Sequence, residues 1–466
     1  MLLKYFYDEN LAQASYMVGC QASKEAVIID PARDILPYIE AATKEGLSIV
    51  GAFETHIHAD FVAGSRELAQ RLGAKMYLSD EGDKDWKYEN VEQLPHHLVK
   101  DGEEIKLGNI LFKVIHTPGH TPESISFLVT DGGAKTDKPM GIFTGDFVFV
   151  GDVGRPDLLE KSAQQAGTAD KGAKEMYDSI TKFKSLPDYV QVWPGHGAGS
   201  PCGKSLGAIP SSTVGYEKQV NWAFQHDNHE SFANELLEGQ PEPPTYFAVM
   251  KRVNKVGPNF TLEIPSPKRL DDITVLSKKI KEGAQVIDTR EAALFSKQHI
   301  EGTINIPFNQ AFTNWAGWII DYERPLYLLT DPDKIGEIQK TLQSIGVDKL
   351  EFFMDSDIAI RMSPELESYH DITPDEAKVL MDEEGAQVVD VRHDSEWKTG
   401  HIEGAKHIML GTLLDRLDEV PKNRPLILQC GSGVRSAIAI SLLQARGIKD
   451  VRNMLGGYAR WQKDIT

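Results

Sequence analysis

Two histidines and a carboxylate stand close together in residues 55–61, which read THIHADF. The segment follows an apolar run at residues 49–53, and such a run predicts a strand that ends where the histidines begin. Imidazole and carboxylate groups together suit zinc, iron or manganese. The segment therefore predicts part of a metal site on a loop that follows a strand.

Three more candidate ligands lie in turns that are rich in glycine or proline and that follow hydrophobic runs. They are His120 in TPGHT, Asp146 in TGD and His196 in PGHG. Two nearby histidines alone would more often be surface residues. Four turns of this kind in one chain favour a single metal site instead.

This series of motifs, THxHAD, PGHT, TGD and PGH, resembles the metallo-β-lactamase superfamily. The resemblance implies an αββα sandwich with metals at one sheet edge. In the hydrolases of that superfamily the first motif usually ends Asp-His, and that histidine helps to hold a second metal. Here the position is Phe61, whose phenyl ring cannot donate to a metal. The chain is in this respect similar to the persulfide dioxygenases, the branch that lacks this histidine and carries a single iron.

The resemblance to the persulfide dioxygenases implies roles for individual residues. The iron ligands would be His56, His120 and Asp146, the set of two histidines and one carboxylate that is typical of non-haem iron(II) oxygenases. This ligand set would hold one Fe(II) per chain and would leave coordination positions open for O2 and substrate. Three further residues would orient these ligands: His58, Asp60 and His196. Whether His58 or His196 also contacts the iron stays open.

The loops after the candidate ligands carry residues suited to bind a thiol. Arg155 follows Asp146 by nine residues, so it can return to the site and hold an anion through two hydrogen bonds. In the persulfide dioxygenases an arginine at this spacing contacts the thiol cosubstrate, and a plain loop salt bridge is the alternative. Cys202 could hold or relay a sulfane sulfur or be an incidental loop cysteine, and Lys204 could bind an acidic thiol tail. This loop, which follows His196, resembles that of dioxygenases fused to rhodanese domains.

Composition limits the partners and the location of the 466-residue chain. Its net charge of −19 disfavours nucleic acids and anionic membranes, which both need a basic surface. The sequence contains no apolar run of about eighteen residues and starts without the apolar core of a signal peptide, so we expect no membrane span and a cytoplasmic location. Three cysteines are too few for a disulfide framework and fit a reducing compartment.

An internal repeat occupies the second part of the chain. The residues DTR through HIEG at 288–302 recur about 100 residues later as DVR through HIEG at 390–404. The run RPLYLLT at 324–330 likewise matches RPLILQC at 424–430. These signatures resemble rhodanese domains, which implies two α/β modules in succession.

The motifs together divide the chain into three parts. Residues 216–237 predict one helix, and a proline-rich stretch that follows marks the end of the first domain. We expect a metallo-β-lactamase-fold dioxygenase domain at 1–260, an inactive rhodanese-like domain at 265–366 and an active rhodanese domain at 369–466. The fold class is α/β multidomain.

The loop after the last matched strand differs between the two copies. The second copy reads CGSGVRS from Cys430 and then enters a predicted helix. Backbone N–H groups at a helix N-terminus stabilise a thiolate and can hold an oxyanion such as sulfite or thiosulfate. We expect Cys430 to be catalytic, with Arg435 supporting the loop and binding anions. The loop residues expected to contact substrate are Gly431, Ser432, Gly433 and Val434.

The first copy has Thr330, Asp331, Pro332 and Asp333 at the corresponding positions. Threonine cannot carry a persulfide, and the acidic pair repels anions. We expect this module to be inactive and to serve as a scaffold or docking module.

The resemblance covers essentially the whole chain and implies one sulfur chemistry. A non-haem iron persulfide dioxygenase would oxidise a thiol persulfide of glutathione, coenzyme A or bacillithiol type with O2 to sulfite and thiol. A Cys430 persulfide would convert sulfite to thiosulfate or run the reverse reaction, in sulfide detoxification. The alternatives are a hydroxyacylglutathione-type thioester hydrolase with one or two zinc ions, fused to a rhodanese, and a sulfur carrier or sensor in which only Cys430 is active. We also expect a homo-oligomer.

Overall fold

A computed structural model describes residues 1–158, 160 and 168–465. The chain forms two compact units. The first comprises Met1–Ile264 with Gln343–Gly346, and the second comprises Pro265–Leu342 with Val347–Thr466. Among the described residues, no helix is both long enough and apolar enough to cross a membrane.

The first unit contains two six-stranded sheets. One has its strands in the order β1 to β6, with antiparallel pairing from β1 to β3 and parallel pairing from β3 to β6. These strands are Leu2–Asp8, Gln13–Cys20, Glu25–Ile29, Ser48–Phe53, Lys75–Ser79 and His96–Val99. The other sheet has the order β12-β11-β10-β9-β8-β7. Its strands β7 to β12 are Glu104–Leu107, Ile110–His116, Ile125–Asp131, Gly141–Gly145, Gln191–Pro194 and Ser212–Thr213.

The two sheets share one apolar core. Buried and exposed residues alternate along β7, as expected for a strand with one face toward the core. Phe53 of β4 packs against two rings of the other sheet, with centroid distances of 5.0 Å to Phe112 and 4.9 Å to Phe127. Aromatic pairs at this separation add to the stabilisation from burial alone, so the two sheets are firmly joined.

Helices cover the outer faces of both sheets in the first unit. Side chains of the first two helices, α1 and α2, join a cluster with residues of β2, β3 and β4. Side chains of α3 and α5 join a second cluster with residues of β10 and β11. The predicted αββα sandwich is therefore confirmed. The helices of this unit are α1 (Leu36–Glu45), α2 (Ser65–Leu72), α3 (Thr168–Phe183), α4 (Val214–Val220), α5 (His229–Leu237) and α6 (Phe247–Val256).

The single helix predicted at residues 216–237 is wrong. Helix α4 ends at Val220, and the side chain of Asn221 accepts a hydrogen bond from the backbone of Ala223 in a short 3-10 turn. Asn228 then caps the N-terminus of α5 by accepting from the backbone N–H of Ser231. Two asparagines that bind backbone groups thus break the helix.

The second unit contains two five-stranded parallel sheets with the same strand order. The first sheet has the order β13-β17-β16-β14-β15 and the second has β18-β22-β21-β19-β20. The first uses Lys268–Arg269, Gln285–Asp288, Ile304–Asn305, Leu326–Thr330 and Leu350–Asp355 as β13 to β17. The second uses His370–Ile372, Gln387–Asp390, Lys406–His407, Leu426–Gln429 and Val451–Met454 as β18 to β22. The repeat in the sequence thus corresponds to a repeat in topology.

Nine described helices accompany these two sheets. They are α7 (Ile273–Lys281), α8 (Ala292–Phe295), α9 (Phe312–Ile319), α10 (Ile335–Ser344), α11 (Ser356–Met362), α12 (Pro374–Glu384), α13 (Asp394–Lys398), α14 (Val434–Gln444) and α15 (Gly457–Asp464). The end of β16 and the end of β21 lead into the two loops that the sequence distinguishes. Both loops therefore lie at the carboxyl edge of their parallel sheet, where α/β folds commonly bind ligands.

Candidate functional site

The three residues predicted as metal ligands lie together in the first unit. His56, His120 and Asp146 each bring one ligand atom to within 4.8 Å of the others, and all three are buried. Asp146 Oδ2 lies 3.9 Å from His56 Nε2 and 3.6 Å from His120 Nε2. Each residue follows a strand of the sandwich, so the ends of β4, β8 and β10 hold the group in place.

Hydrogen bonds fix both imidazole rings with Nε2 facing the carboxylate. His120 Nδ1 lies 3.0 Å from the carbonyl oxygen of Arg155, which can only accept, so Nδ1 carries the proton. The Thr55 hydroxyl donates to Asp30 Oδ2 at 2.9 Å and therefore accepts from His56 Nδ1 at 3.0 Å. Both histidines thus direct an Nε2 lone pair toward Asp146.

The donor set fits a divalent metal ion. His56 Nε2 and Asp146 Oδ2 are buried without a hydrogen-bond partner among the described residues. Burial lowers the pKa of both His56 and His120, so these rings are neutral. Burial opposes ionisation of Asp146, but His196 outweighs it and holds the pKa of this carboxyl well below its usual range. Two neutral imidazoles and a carboxylate are metal ligands in their binding-competent states.

His196 lies between two carboxylates. Its Nδ1 is 2.7 Å from Asp146 Oδ1, and its Nε2 is 2.6 Å from Asp60 Oδ2. Burial alone would lower the pKa of His196, but Asp146 and Asp60 together raise it well above its usual range. The ring therefore links the two carboxylates and fixes the orientation of Asp146.

Cys202 lies beside this pair. Its thiol, Asp60 and His196 form a second group of buried ligand atoms within 4.8 Å of one another. Burial, followed by the negative charges of Asp60 and Asp146, raises the pKa of Cys202 well above its usual range. The thiol is therefore protonated and lies beside Asp60, His196 and Asp146.

His58 and Phe61 occupy the other side of the same loop. His58 Nε2 lies 3.1 Å from Asp30 Oδ1, and this carboxylate overcomes the effect of burial and raises the pKa of His58 to about 9. The ring of Phe61 packs 4.4 Å from that of His58 and 6.5 Å from that of His196, between centroids. An apolar ring thus lies between these two histidines of the site.

Glu123 is a buried residue of the site that the sequence analysis missed. Its Oε1 accepts a hydrogen bond of 2.8 Å from the backbone N–H of Ile57, between the two loop histidines. Burial raises the pKa of Glu123 to about 7. The backbone carbonyl oxygen of Glu123 accepts a hydrogen bond of 2.6 Å from the Ser79 hydroxyl. Glu123 therefore ties the turn of His120 to the loop of residues 55–61. The available signal in the sequence for a functional role of Glu123 was an acidic residue just before the apolar strand β9.

Arg155 and Lys204 have protein partners in the structure. The Arg155 side chain is fully buried, and its Nε and Nη2 each donate to one oxygen of Asp157 at 2.7 Å. Lys204 Nζ donates to the carbonyl oxygen of Glu235 at 2.8 Å and lies 5.8 Å from the ring centroid of Trp222. The role of these two residues as substrate ligands stays a prediction.

A small cleft of about 70 Å³ opens beside His120. Its walls combine apolar groups with a few charges. They include Ala59, Trp86, Pro122, Pro156, Lys171 and Glu175. Of the three candidate ligands, the cleft contacts His120.

A second candidate site surrounds Cys430 at the end of β21. The thiol is buried and accepts a hydrogen bond of 3.1 Å from the backbone N–H of Gly433. The Ser436 hydroxyl lies 3.5 Å from the sulfur. Gly433 has φ 98°, a left-handed conformation that favours glycine, and α14 begins at the next residue. The sulfur thus sits in a backbone turn at a helix N-terminus.

Arg435 of this loop is bound to an acidic residue. Its Nη1 and Nη2 donate to the two carboxylate oxygens of Glu396 at 2.6 and 2.7 Å. Burial would lower the pKa of Arg435, but Glu396 raises it, so the guanidinium remains charged. Ser432 and Val434 are exposed at the mouth of the loop. Substrate contacts of these residues, and of Gly431, stay predictions.

The first copy has a different hydrogen-bond pattern at the matching position. Thr330 is buried, and its hydroxyl accepts a bond of 2.8 Å from Thr289. The backbone N–H of Asp333 donates to the Asp331 carboxylate at 3.0 Å. The N–H group that corresponds to that of Gly433 is therefore already bound.

Comparison with known proteins identifies a family for an N-terminal and for a C-terminal segment of the chain. The model of the metallo-beta-lactamase superfamily matches residues 9–196, and that of the rhodanese-like domain matches residues 373–464. A crystal structure of a metallo-beta-lactamase from Staphylococcus aureus subsp. aureus COL is 46% identical, with a TM-score of 0.69. The match covers 76% of this chain and 98% of that one. The chain belongs to the metallo-beta-lactamase superfamily. The predicted fusion of such a domain with a C-terminal rhodanese-like domain is confirmed.

Two curated relatives of this superfamily member differ in activity. Human mitochondrial persulfide dioxygenase ETHE1 is 29% identical over 199 residues, which is 42% of this chain and 68% of the relative. Hydroxyacylglutathione hydrolase of Gloeobacter violaceus is 32% identical over 186 residues, which is 39% of this chain and 62% of the relative. The matches thus span about two thirds of the length of these relatives. The similarity implies a metal site, and the choice between the two reactions depends on the residues of the site.

Proposed function

We propose that the first unit is a persulfide dioxygenase that holds one Fe(II) through His56, His120 and Asp146. The observation that carries this proposal is the site itself, with two neutral imidazoles, one carboxylate and the phenyl ring of Phe61 at the position of a second-metal ligand. Such a set leaves coordination positions open for substrate and O2. When bound, Fe(II) supplies the redox chemistry that O2 needs to react with a persulfide. The similarity to persulfide dioxygenase ETHE1 supports the same assignment.

The protein's own residues prepare this site in several ways. The Arg155 carbonyl and the Thr55 hydroxyl hold the two imidazole rings through their Nδ1 atoms. His196 fixes the Asp146 carboxylate, and Phe61 contributes no donor to a second ion. Burial keeps bulk water from the ligands, and the cleft beside His120 admits the substrate. Cys202, whose thiol lies beside Asp60 and His196, would hold or relay a sulfane sulfur during the reaction.

The proposed reaction converts a thiol persulfide, O2 and water into thiol, sulfite and two protons. The terminal sulfur is oxidised and O2 is reduced, while the sulfur–sulfur bond breaks and the carrier leaves as a thiol. The carrier belongs to the low-molecular-weight thiols of glutathione, coenzyme A or bacillithiol type. Arg155 and Lys204 are proposed to contact this carrier.

We further propose that Cys430 is the nucleophile of a sulfurtransferase. Its persulfide would pass the outer sulfur to sulfite, which forms the sulfur–sulfur bond of thiosulfate and returns the Cys430 thiol, or the reaction would run in reverse. The N–H of Gly433 and the charge of Arg435 stabilise the negative sulfur and the incoming oxyanion. Joining the two activities raises the local concentration of sulfite near its acceptor site. The pair would serve in sulfide detoxification.

The organisation of the chain belongs to the same proposal. We assign residues 1–260 to the dioxygenase domain, 265–366 to the inactive rhodanese-like domain and 369–466 to the active rhodanese domain. The shared strand order of the two parallel sheets supports this division. A homo-oligomer in the cytoplasm is the form in which we expect the protein to work.

Metal content and substrate preference test the proposal against a thioester hydrolase. Protein purified without oxygen and loaded with iron is expected to bind one iron per chain and to consume O2 with glutathione persulfide. Its activity toward the thioester S-lactoylglutathione is expected to stay at background. Bound zinc together with thioester cleavage and no O2 consumption would establish the hydrolase. Sulfur transfer through Cys430 without O2 consumption and without thioester cleavage would indicate a sulfur carrier or sensor.

A further inference from the structure

A pocket of about 330 Å³ in the second unit gathers positive charge in a chain whose net charge is −19. We call it the basic pocket. Its charged lining residues are Lys422, Arg424, Arg446, Lys449 and Asp450, and its apolar ones are Leu417, Pro421 and Ile448. The volume falls in the range of about 300–1,000 Å³ that is usual for small-molecule sites.

Three cations of the basic pocket have no carboxylate partner in the part of the chain that the structure describes. They are Lys422, Arg424 and Arg446. The remaining charges are already paired: Lys449 with Glu301 at 2.9 Å and with Glu367, and Asp450 with Arg452. Three like charges at one pocket repel each other, so a bound anion would stabilise the arrangement.

The first copy of the repeat has fewer cations at the matching positions, although Arg324 corresponds to Arg424. With the RPL runs at residues 324–326 and 424–426 aligned, Tyr322 stands where Lys422 does. With the LQxxG runs at residues 342–346 and 443–447 aligned, Ile345 stands where Arg446 does, and Asp348 where Lys449 does. The fold of the module therefore does not need Lys422, Arg446 and Lys449, and these three cations are specific to the second copy.

The basic pocket is separate from the Cys430 loop. Arg424 lies just before β21, and Cys430 lies just after the same strand. Arg446 follows the C-terminal end of α14, whose N-terminal end is at the Cys430 loop. The pocket is therefore at the amino edge of the sheet, and its ligand is not the sulfur oxyanion that reacts with Cys430.

We propose that the basic pocket binds a phosphorylated small molecule of the nucleoside diphosphate class. Guanidinium groups bind phosphate oxygens through paired hydrogen bonds, which Arg424 and Arg446 can provide, and Lys422 adds a further charge. The organic part of the ligand packs on Leu417, Pro421 and Ile448. This site does not depend on the proposed dioxygenase or sulfurtransferase activity.

Calorimetric titration of the full chain with ADP tests the site. We expect one ADP per chain, and we expect Arg446→Ile, the residue of the first copy, to weaken binding about tenfold or more. Arg361→Ile is the matched control, since Arg361 is an exposed arginine of α11 outside the pocket, and it should leave the affinity within about twofold. Raising the salt concentration should weaken ADP binding to the unmodified protein. Arg446→Gln, which keeps most of the side chain, provides a second variant if Arg446→Ile fails to fold.

Pyrophosphate and adenosine separate the two halves of the ligand. Pyrophosphate that binds as tightly as ADP, with the same dependence on Arg446, would assign recognition to the phosphate groups alone. Adenosine is expected not to bind. The proposal is overturned if neither ADP nor pyrophosphate binds, or if both bind equally well to the unmodified protein and to the folded Arg446 variants.

Discussion

Buried carboxylates decide the protonation state of the histidines around the candidate metal site. His56 and His120 have their pKa lowered by burial and are neutral. His58 and His196 each pair with a carboxylate that outweighs burial and raises the pKa. Residues of one type thus divide into two neutral rings, which are the candidate metal ligands, and two charged rings that hold carboxylates in place.

Replacing Phe61 tests whether one side chain limits the site to a single metal. Phe61→His would place an imidazole beside His58 and His196, where the hydrolases of the superfamily have a ligand. We expect zinc bound per chain to rise from about one toward two, measured by elemental analysis after dialysis against zinc. Phe61→Leu is the control, and its zinc content should stay near one ion per chain. A histidine variant that also stays near one would show that Phe61 does not exclude the second ion.

Glu123 gives a prediction for the pH dependence of stability. Burial raises its pKa from 4.5 to about 7, so the folded protein binds more protons than the unfolded chain between these values. The free energy of unfolding should therefore fall as the pH rises from 4.5 to 7, by about 3 kcal/mol from this group. Glu123→Gln keeps an acceptor for the Ile57 N–H and should remove this part of the pH dependence.

Urea unfolding of both proteins at several pH values measures the effect of Glu123. The difference in unfolding free energy between the unmodified protein and Glu123→Gln should change steadily across this pH range. Parallel curves for the two proteins would contradict a raised pKa at this position.

At the scale of elements, the loop that follows the strand β16 or β21 distinguishes the two repeats. The Cys430 loop donates the N–H of Gly433 to the sulfur, whereas the first copy gives the matching N–H of Asp333 to Asp331. Pro332 moreover has no N–H to offer. The sheet below each loop has the same strand order, so the difference belongs to the loop alone.

Thr330→Cys tests this view of the first copy. Introduced together with Cys430→Ser, it should give no transfer of sulfur from thiosulfate to cyanide, because the Asp333 N–H is already bound to Asp331 and the loop carries two acidic residues. The matched protein with Cys430→Ser alone sets the background rate. Transfer above that background would mean that a cysteine at a strand end is sufficient for activity.

The sequence predicted the candidate ligands because each follows a strand within a short motif. It did not reveal Asp30 and Glu123, whose hydrogen bonds join positions 25 and 66 residues apart. Such partners depend on how the strands pair, which local patterns do not specify. The break between α4 and α5 was missed for a related reason, since Asn221 and Asn228 lie in a segment that is otherwise compatible with one helix.

At the scale of the whole molecule, each unit has its own apolar cores, so the two chemistries should be separable. Removal of the metal with a chelator should abolish O2 consumption. It should leave sulfur transfer from thiosulfate to cyanide unchanged, because Cys430 belongs to no group of three or more potential metal ligands among the described residues. A parallel loss of both activities would contradict this independence.

Simultaneous measurement of O2 consumption, sulfite and thiosulfate with glutathione persulfide tests the central claim most directly. The iron-loaded protein should consume O2. His120→Ala should consume none, and Cys430→Ser should consume O2 at the normal rate while its product shifts from thiosulfate to sulfite. O2 consumption that persists in His120→Ala, or its absence from the iron-loaded protein with every low-molecular-weight persulfide, would contradict the account.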